Sequence, residues 1–220
     1  MSTINNQYHI YSELADLARP LGNAHRLILL EHIAQGEKPV EKLAELADLT
    51  VANTSQHLQQ LKRNGYVQTR REGKHVFYRL ADAPVVELLM ALRQFAEFNH
   101  SEIRKLVKGT LHHQQDVEAI SREELLVRMQ ENSVTLLDVR PEEEFEQGHL
   151  PGAINIPLGE LEVRLSELPK EQEIVAYCRG PYCSLSITAV NALKEKGLSA
   201  RRLNDGVPEW KAAGHKIDAL

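Results

Sequence analysis

The chain has 220 residues, 42% of them hydrophobic, and a formal net charge of −5 at pH 7. This length exceeds what one average domain needs and predicts two domains. No apolar run approaches the roughly 18 residues of a membrane span, and the polar opening lacks the pattern of a signal peptide. We therefore expect a cytoplasmic protein with no membrane partner.

Basic side chains are concentrated in one part of this acidic chain. Residues 51–80 hold six basic residues and one acidic residue, so this segment carries a charge of +5. A basic segment in an acidic protein is the electrostatic footprint of a site for a polyanion. The charge distribution therefore indicates nucleic-acid binding, although the net charge alone argues against it.

The basic segment begins with a helical pattern. Apolar spacing predicts one helix over residues 40–48 and a second over residues 51–64, with Thr50 as the N-cap of the second. The outward face of the second helix holds no acid, which suits base edges and phosphates; a merely solvated helix face is the alternative. The candidate DNA-contacting residues of this helix are Asn53, Ser55, Gln56, His57, Gln59, Gln60 and Arg63.

Two β-prone runs follow the second helix. Residues 66–71 and 74–80 are separated by Glu72 and Gly73, a spacing typical of a β-hairpin. The order of helix, turn, helix and hairpin predicts an α+β winged helix-turn-helix. The hairpin supplies the remaining candidate DNA contacts, which are Arg70, Arg71, Lys74 and His75.

Three motifs within residues 20–92 carry a family resemblance. They are Leu21-Gly-Asn-Ala-His-Arg-Leu27, Leu49-Thr-Val-Ala-Asn-Thr-Ser-Gln-His-Leu58 and Leu61-Lys-Arg-Asn-Gly-Tyr-Val67. Through these motifs the region resembles the ArsR/SmtB family of small dimeric repressors. The resemblance implies binding of double-stranded operator DNA through residues 51–60, a wing at residues 70–79, and dimerisation through the terminal helices.

A further apolar stripe follows the hairpin at alternating spacings of four and three. A long stripe of this kind pairs helices, and a small winged-helix core cannot bury all of it. We therefore expect it to meet a symmetry mate in a homodimer. The residues of this stripe are Val85, Leu89, Leu92, Ala96, Asn99, Ile103 and Leu106.

The positions that bind metal in some members of this family lack ligands here. Residues 41–48, in the helix before the second helix, contain no cysteine, and only His100 remains near the end of the last helix. The other histidines have no cysteine or paired carboxylate at ligand spacing. We therefore expect neither a metal nor a cofactor.

The pattern changes character from Ser121 onward. Ser121-Arg-Glu-Glu124 predicts a capped helix that runs to about Gln130. Strands are predicted at residues 134–139, 173–177 and 200–203, and helices at residues 158–168 and 184–196. Strands that alternate with helices predict an α/β domain with a parallel sheet covered on both faces. We place the domains at residues 1–108 and 121–220, with a linker at residues 109–120.

Both cysteines of the chain lie in one loop, Cys178-Arg-Gly-Pro-Tyr-Cys183, between a predicted strand and a predicted helix. Loop amides, the helix N-terminus and Arg179 all favour a thiolate there, so we expect Cys178 to have a pKa below the ordinary value of about 8.5. Catalytic groups of parallel α/β folds gather at the carboxyl ends of strands. The loop therefore indicates a nucleophilic or redox-active cysteine.

Further motifs surround this loop in a fixed order. They are Leu136-Leu-Asp-Val-Arg140, Glu144-Phe145, Gly148-His-Leu-Pro-Gly-Ala-Ile-Asn-Ile-Pro157 and Asp205-Gly-Val-Pro-Glu-Trp210. With them, residues 121–216 resemble a rhodanese domain. The resemblance implies that Cys178 is the sulfur-carrying nucleophile and that Asp138, Arg140, His149 and Trp210 are structural. It also implies a substrate-binding loop made of Arg179, Gly180, Pro181, Tyr182 and Cys183, in which Arg179 could attract anionic donors.

Two alternatives concern the loop. A Cys-x5-Arg loop would bind phosphate or arsenate, but the sixth residue after Cys178 is Ser184, so the arginine clamp is missing. A rhodanese fold used only for contacts stays open. Cys183 is either a resolving thiol that attacks a persulfide at Cys178 or a small residue under the next helix.

The sequence thus predicts a homodimeric DNA-binding regulator of the repressor class. Its rhodanese domain would react with a small sulfane-sulfur donor, such as thiosulfate, a polysulfide or a low-molecular-weight persulfide, and so couple reactive sulfur to operator binding. The alternative is a sulfurtransferase that passes sulfur from Cys178 to a separate acceptor, with the winged helix serving dimerisation or localisation. Enzymatic turnover is left open between these two hypotheses.

Overall fold

The computed structural model describes residues 3–103, 105–106 and 117–220. The chain falls into two compact units, Met1–Val85 and Val86–Leu220. Residues 109–116 of the predicted linker lie outside the described residues. The predicted domain limits therefore stay predictions.

The first unit is a helical region with a small antiparallel sheet. Its strands are β1 (Lys38–Pro39), β2 (Val67–Glu72) and β3 (His75–Leu80), in the order β1-β3-β2. This arrangement confirms the predicted winged helix-turn-helix. Its helices are α1 (Thr3–Ala18), α2 (Ala24–Ala34), α3 (Val40–Leu46) and α4 (Val51–Arg63).

Local signals account for the ends of α4 and of the hairpin. The side chain of Thr50 accepts a hydrogen bond from the backbone N–H of Asn53, which confirms the predicted N-cap. The hairpin turn lies at Gly73 and Lys74, one residue later than predicted, because Glu72 still pairs with His75. Gly73 has φ +56°, the left-handed conformation that glycine adopts without strain.

Helix α5 (Val85–Asn99) corrects the predicted dimer stripe. Val85 and Leu89 are buried within the chain, so they cannot meet a symmetry mate. The side-chain amide of Asn99 donates to the carbonyl of Phe95 in the last turn of α5, and residues 101–103 and 105–106 are helical again after His100. The exposed apolar stripe of α5 instead consists of Leu88, Leu92, Phe95 and Phe98.

The second unit holds a five-stranded parallel sheet in the order β4-β8-β7-β5-β6, which confirms the predicted α/β class. Its strands are β4 (Ala119–Ile120), β5 (Val134–Asp138), β6 (Ile154–Asn155), β7 (Glu173–Tyr177) and β8 (Ala200–Leu203). The helices after α5 are α6 (Arg122–Gln130), α7 (Glu142–Gln147), α8 (Leu161–Arg164), α9 (Leu185–Glu195) and α10 (Val207–Ala212).

Two details of this unit bear on the predicted elements. Ser121 caps α6 by accepting from the backbone N–H of Glu124, as predicted. The helix predicted over residues 158–168 is broken, because α8 is flanked by 3-10 turns at Leu158–Glu160 and Leu165–Glu167. No helix among the described residues is long and apolar enough to cross a membrane.

The central strand β7 places the thiol loop. Its residues alternate between two apolar layers: Ala176 packs in one layer with Cys178, and Tyr177 packs in the other with Trp210. Trp210 is 2% exposed, which confirms the predicted core position. Because Cys178 follows the last residue of β7, its side chain lies at the carboxyl end of the sheet.

Candidate thiol site and nucleic-acid interface

Cys178 is buried at the point where β7 ends. Its side chain is 2% exposed, and its Sγ lies within hydrogen-bond distance of Ser186 Oγ at 3.2 Å and of the carbonyl oxygen of Cys183 at 3.5 Å. Ser186 belongs to the first turn of α9, so the start of this helix holds the thiol from one side. The sequence analysis did not single out Ser186.

Two glycines shape the loop around the thiol. Gly180 has φ +136°, and its carbonyl accepts from the backbone N–H of Cys183 at 3.1 Å, which curls the loop back on itself. Gly206 lies directly against this curl, since a Cβ atom there would come within 2.5 Å of the carbonyl carbon of Arg179. A side chain at Gly206 would therefore displace the loop.

Arg179 is engaged by a buried carboxylate. Its Nη2 donates to Glu144 Oε1 at 2.7 Å and its Nε donates to Glu144 Oε2 at 2.9 Å, the bidentate geometry typical of a strong arginine–carboxylate pair. The side chain of Glu144 is only 5% exposed. The charge of Arg179 is thus balanced before any anionic donor arrives, and the predicted attraction of donors by Arg179 stays a prediction.

The loop favours ionisation of Cys183 more than of Cys178, which corrects the expectation for Cys178. The S–H of Cys178, the backbone amides of Arg179 and Leu185 and the charge of Arg179 together lower the pKa of Cys183 to about 6. The neighbouring Cys183 and burial raise the pKa of Cys178 well above its ordinary value. Of the two thiols, Cys183 is therefore the one on which the loop stabilises a negative charge.

This arrangement gives the two sulfurs different chemical roles. A thiolate that accepts a hydrogen bond from a neighbouring thiol can take its proton as that thiol attacks, which is general-base activation of a nucleophile. Cys183 stands in this relation to Cys178. Cys183 is also the more exposed of the two.

The loop is also hydrogen-bonded to α5, within the second unit. The hydroxyl of Tyr182 donates to Glu97 Oε1 at 2.8 Å. Glu209 in α10 accepts from the backbone N–H of Gly206 at 3.0 Å and from Arg93 Nη1 at 2.8 Å. These partners are 85 and 116 residues apart in the chain, so no local sequence signal could have found them.

The three other residues expected to be structural are buried. Arg140 Nη2 donates to Asp138 Oδ2 at 2.6 Å and to the carbonyl of Gly148 at 2.7 Å. His149 stacks on Phe145 with ring centroids 3.7 Å apart. These contacts tie the segment after α7 to the end of β5.

The candidate DNA-contacting residues of α4 differ in exposure. Thr54, Leu58 and Leu61 are buried beneath them. His57 is half-buried, and burial together with the charges of Arg26 and His25 lowers its pKa, which favours a neutral imidazole. Ser55 is also half-buried, whereas the exposed candidates are Asn53, Gln56, Gln59, Gln60 and Arg63.

The basic residues of the hairpin also differ in their partners. Arg70 forms ion pairs with Glu37 at 2.8 Å and Glu72 at 2.6 Å. Arg71 and Lys74 are exposed, and neither makes an ion pair with another residue in the described part of the chain. His75 Nδ1 lies 3.8 Å from Glu41 Oε1.

Comparison with known proteins assigns both halves. Residues 23–69 match the family of bacterial regulatory proteins called arsR, and residues 121–213 match the rhodanese-like domain. The HTH-type transcriptional regulator Rv0324 of Mycobacterium tuberculosis is 40% identical over 209 residues, covering 95% of this chain and 92% of that protein. The chain belongs to the arsR family and carries a C-terminal rhodanese-like domain.

Other relatives match one half of this arsR-family regulator. The biofilm growth-associated repressor of Agrobacterium fabrum is 41% identical over 81 residues, which cover 37% of this chain and 69% of the repressor. A sulfurtransferase of Allochromatium vinosum is 32% identical over 105 residues, covering 47% of this chain and 96% of that protein. An arsR-type repressor is thus fused to a rhodanese-like domain in one chain.

Proposed function

We propose that this arsR-family regulator is a cytoplasmic, homodimeric repressor that detects sulfane sulfur at Cys178 and changes its operator affinity in response. The observation that carries the proposal is the hydrogen bond from the hydroxyl of Tyr182, in the thiol loop, to Glu97 of α5. Helix α5 begins at Val85, directly after the hairpin segment of the winged helix. A change in the loop therefore acts on a helix that is covalently continuous with the DNA-binding half.

The first chemical step is sulfur transfer to Cys178. Cys183, as the thiolate, accepts the proton of Cys178, and Cys178 Sγ attacks the sulfane sulfur of the donor. A bond forms between this sulfur and Cys178 Sγ, and the donor's own S–S bond breaks. Its electron pair leaves with sulfite from thiosulfate, or with a shorter polysulfide. The product is a persulfide on Cys178.

The second step uses Cys183 as the resolving thiol. Its sulfur attacks Cys178 Sγ and gives up the proton gained in the first step, so that a Cys178–Cys183 disulfide forms. The outer sulfur takes that proton and the electron pair of the broken S–S bond and leaves as hydrosulfide. The two thiols are oxidised and the sulfane sulfur is reduced to sulfide. This disulfide closes a loop that starts at the end of β7 and runs to the residue before the N-cap of α9, and the closure outlasts the encounter with the donor.

DNA binding is assigned to the exposed face of α4 and the hairpin. The amide-rich face of α4 suits base edges in the major groove, and the unpaired cations of the hairpin suit phosphates. Arg71 and Lys74 support this assignment through their exposure and their lack of ion-pair partners within the described residues. Gln56 supports it as an exposed amide at the centre of α4.

Dimerisation is assigned to the terminal helices. Phe95 is 64% exposed and Phe98 is 79% exposed on α5, and a stripe of large exposed apolar side chains marks a surface for association. Helix α1 presents a similar set of exposed apolar residues, which are Tyr8, Ile10, Tyr11, Leu14 and Leu17.

The first prediction tests the sensor directly. Operator affinity of the purified protein should fall about tenfold after polysulfide treatment, which requires about 1.4 kcal/mol of coupling free energy. Cys178→Ser should keep the affinity of the untreated protein. Cys183→Ser should gain sulfur more slowly, because the base for Cys178 is lost, and should recover DNA binding quickly. Fluorescence anisotropy with operator DNA and mass spectrometry of the loop peptide measure both properties. A normal response of Cys178→Ser would overturn the proposal.

The second candidate function is sulfur transfer to a separate acceptor. The match to a sulfurtransferase over most of that protein's length favours it, as does a nucleophile at the end of β7. Turnover of thiosulfate with a thiol acceptor, with operator affinity unchanged by sulfur loading, would support this function over the sensor.

A further inference from the structure

Arg202 lies on the same face of the sheet as Cys178. In the parallel pairing of β7 and β8, Arg202 is opposite Ala176, and Ala176 is two residues before Cys178. Side chains of paired residues point to the same side of a sheet, and side chains two residues apart along a strand share that side. Ala200, two residues before Arg202, packs in the apolar layer that contains Ala176 and Cys178.

Arg202 is a buried cation with no carboxylate partner among the residues that the structure describes. Its side chain is 8% exposed, and its Nε has no hydrogen-bond partner in the described part of the chain. Its neighbour Arg201, on the opposite face, donates instead to Glu173 and Glu124. Burial strongly disfavours a charge that has no partner, so an arginine in this position calls for a counter-charge.

The groups that can supply this counter-charge are the two thiols. Burial lowers the pKa of Arg202, and interaction with the ionised forms of Cys178 and Cys183 raises it. Arg179 cannot meet the same need for an incoming anion, because Glu144 already balances its charge. Arg202 is therefore the cation on the sulfur side of the sheet that has no carboxylate partner among the described residues.

We propose that Arg202 is the anion-binding residue of the thiol site and that the site takes small sulfur anions, such as thiosulfate or a polysulfide anion. This proposal rests on the proposed reaction of Cys178 with sulfane sulfur and names its donor class. The guanidinium presents parallel N–H donors, which suit an oxyanion or a terminal sulfur anion. The same cation then faces the negative charge of the persulfide.

The second prediction compares an anionic and a neutral probe of the same thiols. The ratio of the alkylation rate with iodoacetate to that with iodoacetamide isolates the attraction of the anion, since both reagents need the same thiolate. We expect Arg202→Met to lower this ratio about tenfold and Arg202→Lys to lower it less, because lysine keeps the charge. Arg201→Gln is the matched control and should leave the ratio at the wild-type value.

Stability separates this role from a structural one. Replacing an unpaired buried charge by an apolar side chain of similar volume is neutral or stabilising, so Arg202→Met should keep or raise the thermal midpoint of unfolding. A large fall in the midpoint would identify Arg202 as a structural arginine and overturn the proposal. Should Arg202→Met be too unstable to alkylate, an unchanged ratio in Arg202→Lys and Arg202→Gln would overturn it equally.

Sulfur donors distinguish the ligands and separate this proposal from the sensor. Rates of sulfur loading from thiosulfate, from polysulfide and from a neutral organic trisulfide are measured by mass spectrometry of the loop peptide. Arg202→Met should slow loading from the two anions and leave the neutral donor unaffected; equal slowing of all three would overturn the anion site. The alkylation ratio involves no sulfur transfer, so a failure of Cys178 to accept sulfur would defeat the proposed function and leave this ratio standing.

Discussion

Cys183 is a small residue in a loop, and its neighbours make its thiol easier to ionise. Backbone amides of Arg179 and Leu185 point at its sulfur because the loop curls through Gly180 before α9 begins. Cys178 lies deeper and donates its proton into the same cluster. The loop therefore pairs one half-buried thiolate with one buried thiol, a combination suited to base-assisted attack and later resolution.

The third prediction concerns this division of labour. The pKa of Cys183 is lowered to about 6, so its thiolate is lost as the pH falls through about 6 and is complete near neutral pH. Wild-type protein should therefore gain one thiolate, measured by absorbance at about 240 nm, well below the ordinary cysteine pKa of about 8.5, and the second only at much higher pH.

Single substitutions assign the two steps. Cys183→Ser should abolish the low step, and Cys178→Ser should move it upward, because the S–H donor to Cys183 is lost. Two thiols that both ionise near the ordinary value in the wild type would show that the loop amides do not stabilise the charge.

In helix α4 and the hairpin, ion pairs within the chain determine which basic side chains stay available to a phosphate. Arg70 is basic in sequence, but Glu37 and Glu72 hold its guanidinium. Arg71, the next residue, has no such partner among the described residues and extends into solvent. Adjacent arginines in one strand thus differ in their capacity to neutralise a phosphate.

The fourth prediction tests this difference between Arg70 and Arg71 with two substitutions that should change DNA affinity in opposite directions. Arg71→Gln should weaken binding to all DNA sequences and reduce the slope of log affinity against log salt by about one, the effect of one lost phosphate contact. Glu37→Gln should strengthen binding at low salt, because it releases Arg70 from a carboxylate. Weaker binding by Glu37→Gln would show that the ion pair positions the hairpin, and that Arg70 is not a reserve of charge.

At the scale of the whole molecule, α5 continues the chain from the first unit into the second. It begins at Val85, the last residue of the first unit, and continues in the second unit, where Arg93 and Glu97 bond to Glu209 and Tyr182. A hydrogen bond to a charged group contributes about 1.5–3 kcal/mol. A difference of about 1.4 kcal/mol in such contacts between the sulfur-loaded and resting states suffices for a tenfold change in operator affinity.

The fifth prediction concerns the hydrogen bond between Tyr182 and Glu97, which a Tyr182→Phe substitution removes while the aromatic ring stays. Tyr182→Phe should accept sulfur at the wild-type rate, but the ratio of operator affinities before and after polysulfide should fall toward one, because the hydroxyl that donates to Glu97 is missing. Glu97→Gln should act in the same direction, and the double variant should add little to either. A full response by Tyr182→Phe would place the coupling elsewhere.

Local patterns in the sequence were sufficient for the architecture. Thr50 and Ser121 predict helix starts, Gly73 predicts a turn, and the alternation of strands with helices predicts a parallel sheet; each of these depends on residues within a few positions of one another. The two-cysteine loop was recognisable for the same reason, since its residues are consecutive. A period of two along β8 could even have indicated that Arg202 and Arg201 face opposite sides.

Only the tertiary structure determined which charged side chains have ion-pair partners. Glu144 balances Arg179 from 35 residues away, and Glu37 balances Arg70 from 33 residues away. Arg202 has no comparable partner among the described residues, although it is the same residue type as its neighbour Arg201, which pairs with two carboxylates. The free energy of a charge depends on its burial and on distances of a few ångströms to other charges, and chain folding sets those distances independently of separation along the sequence.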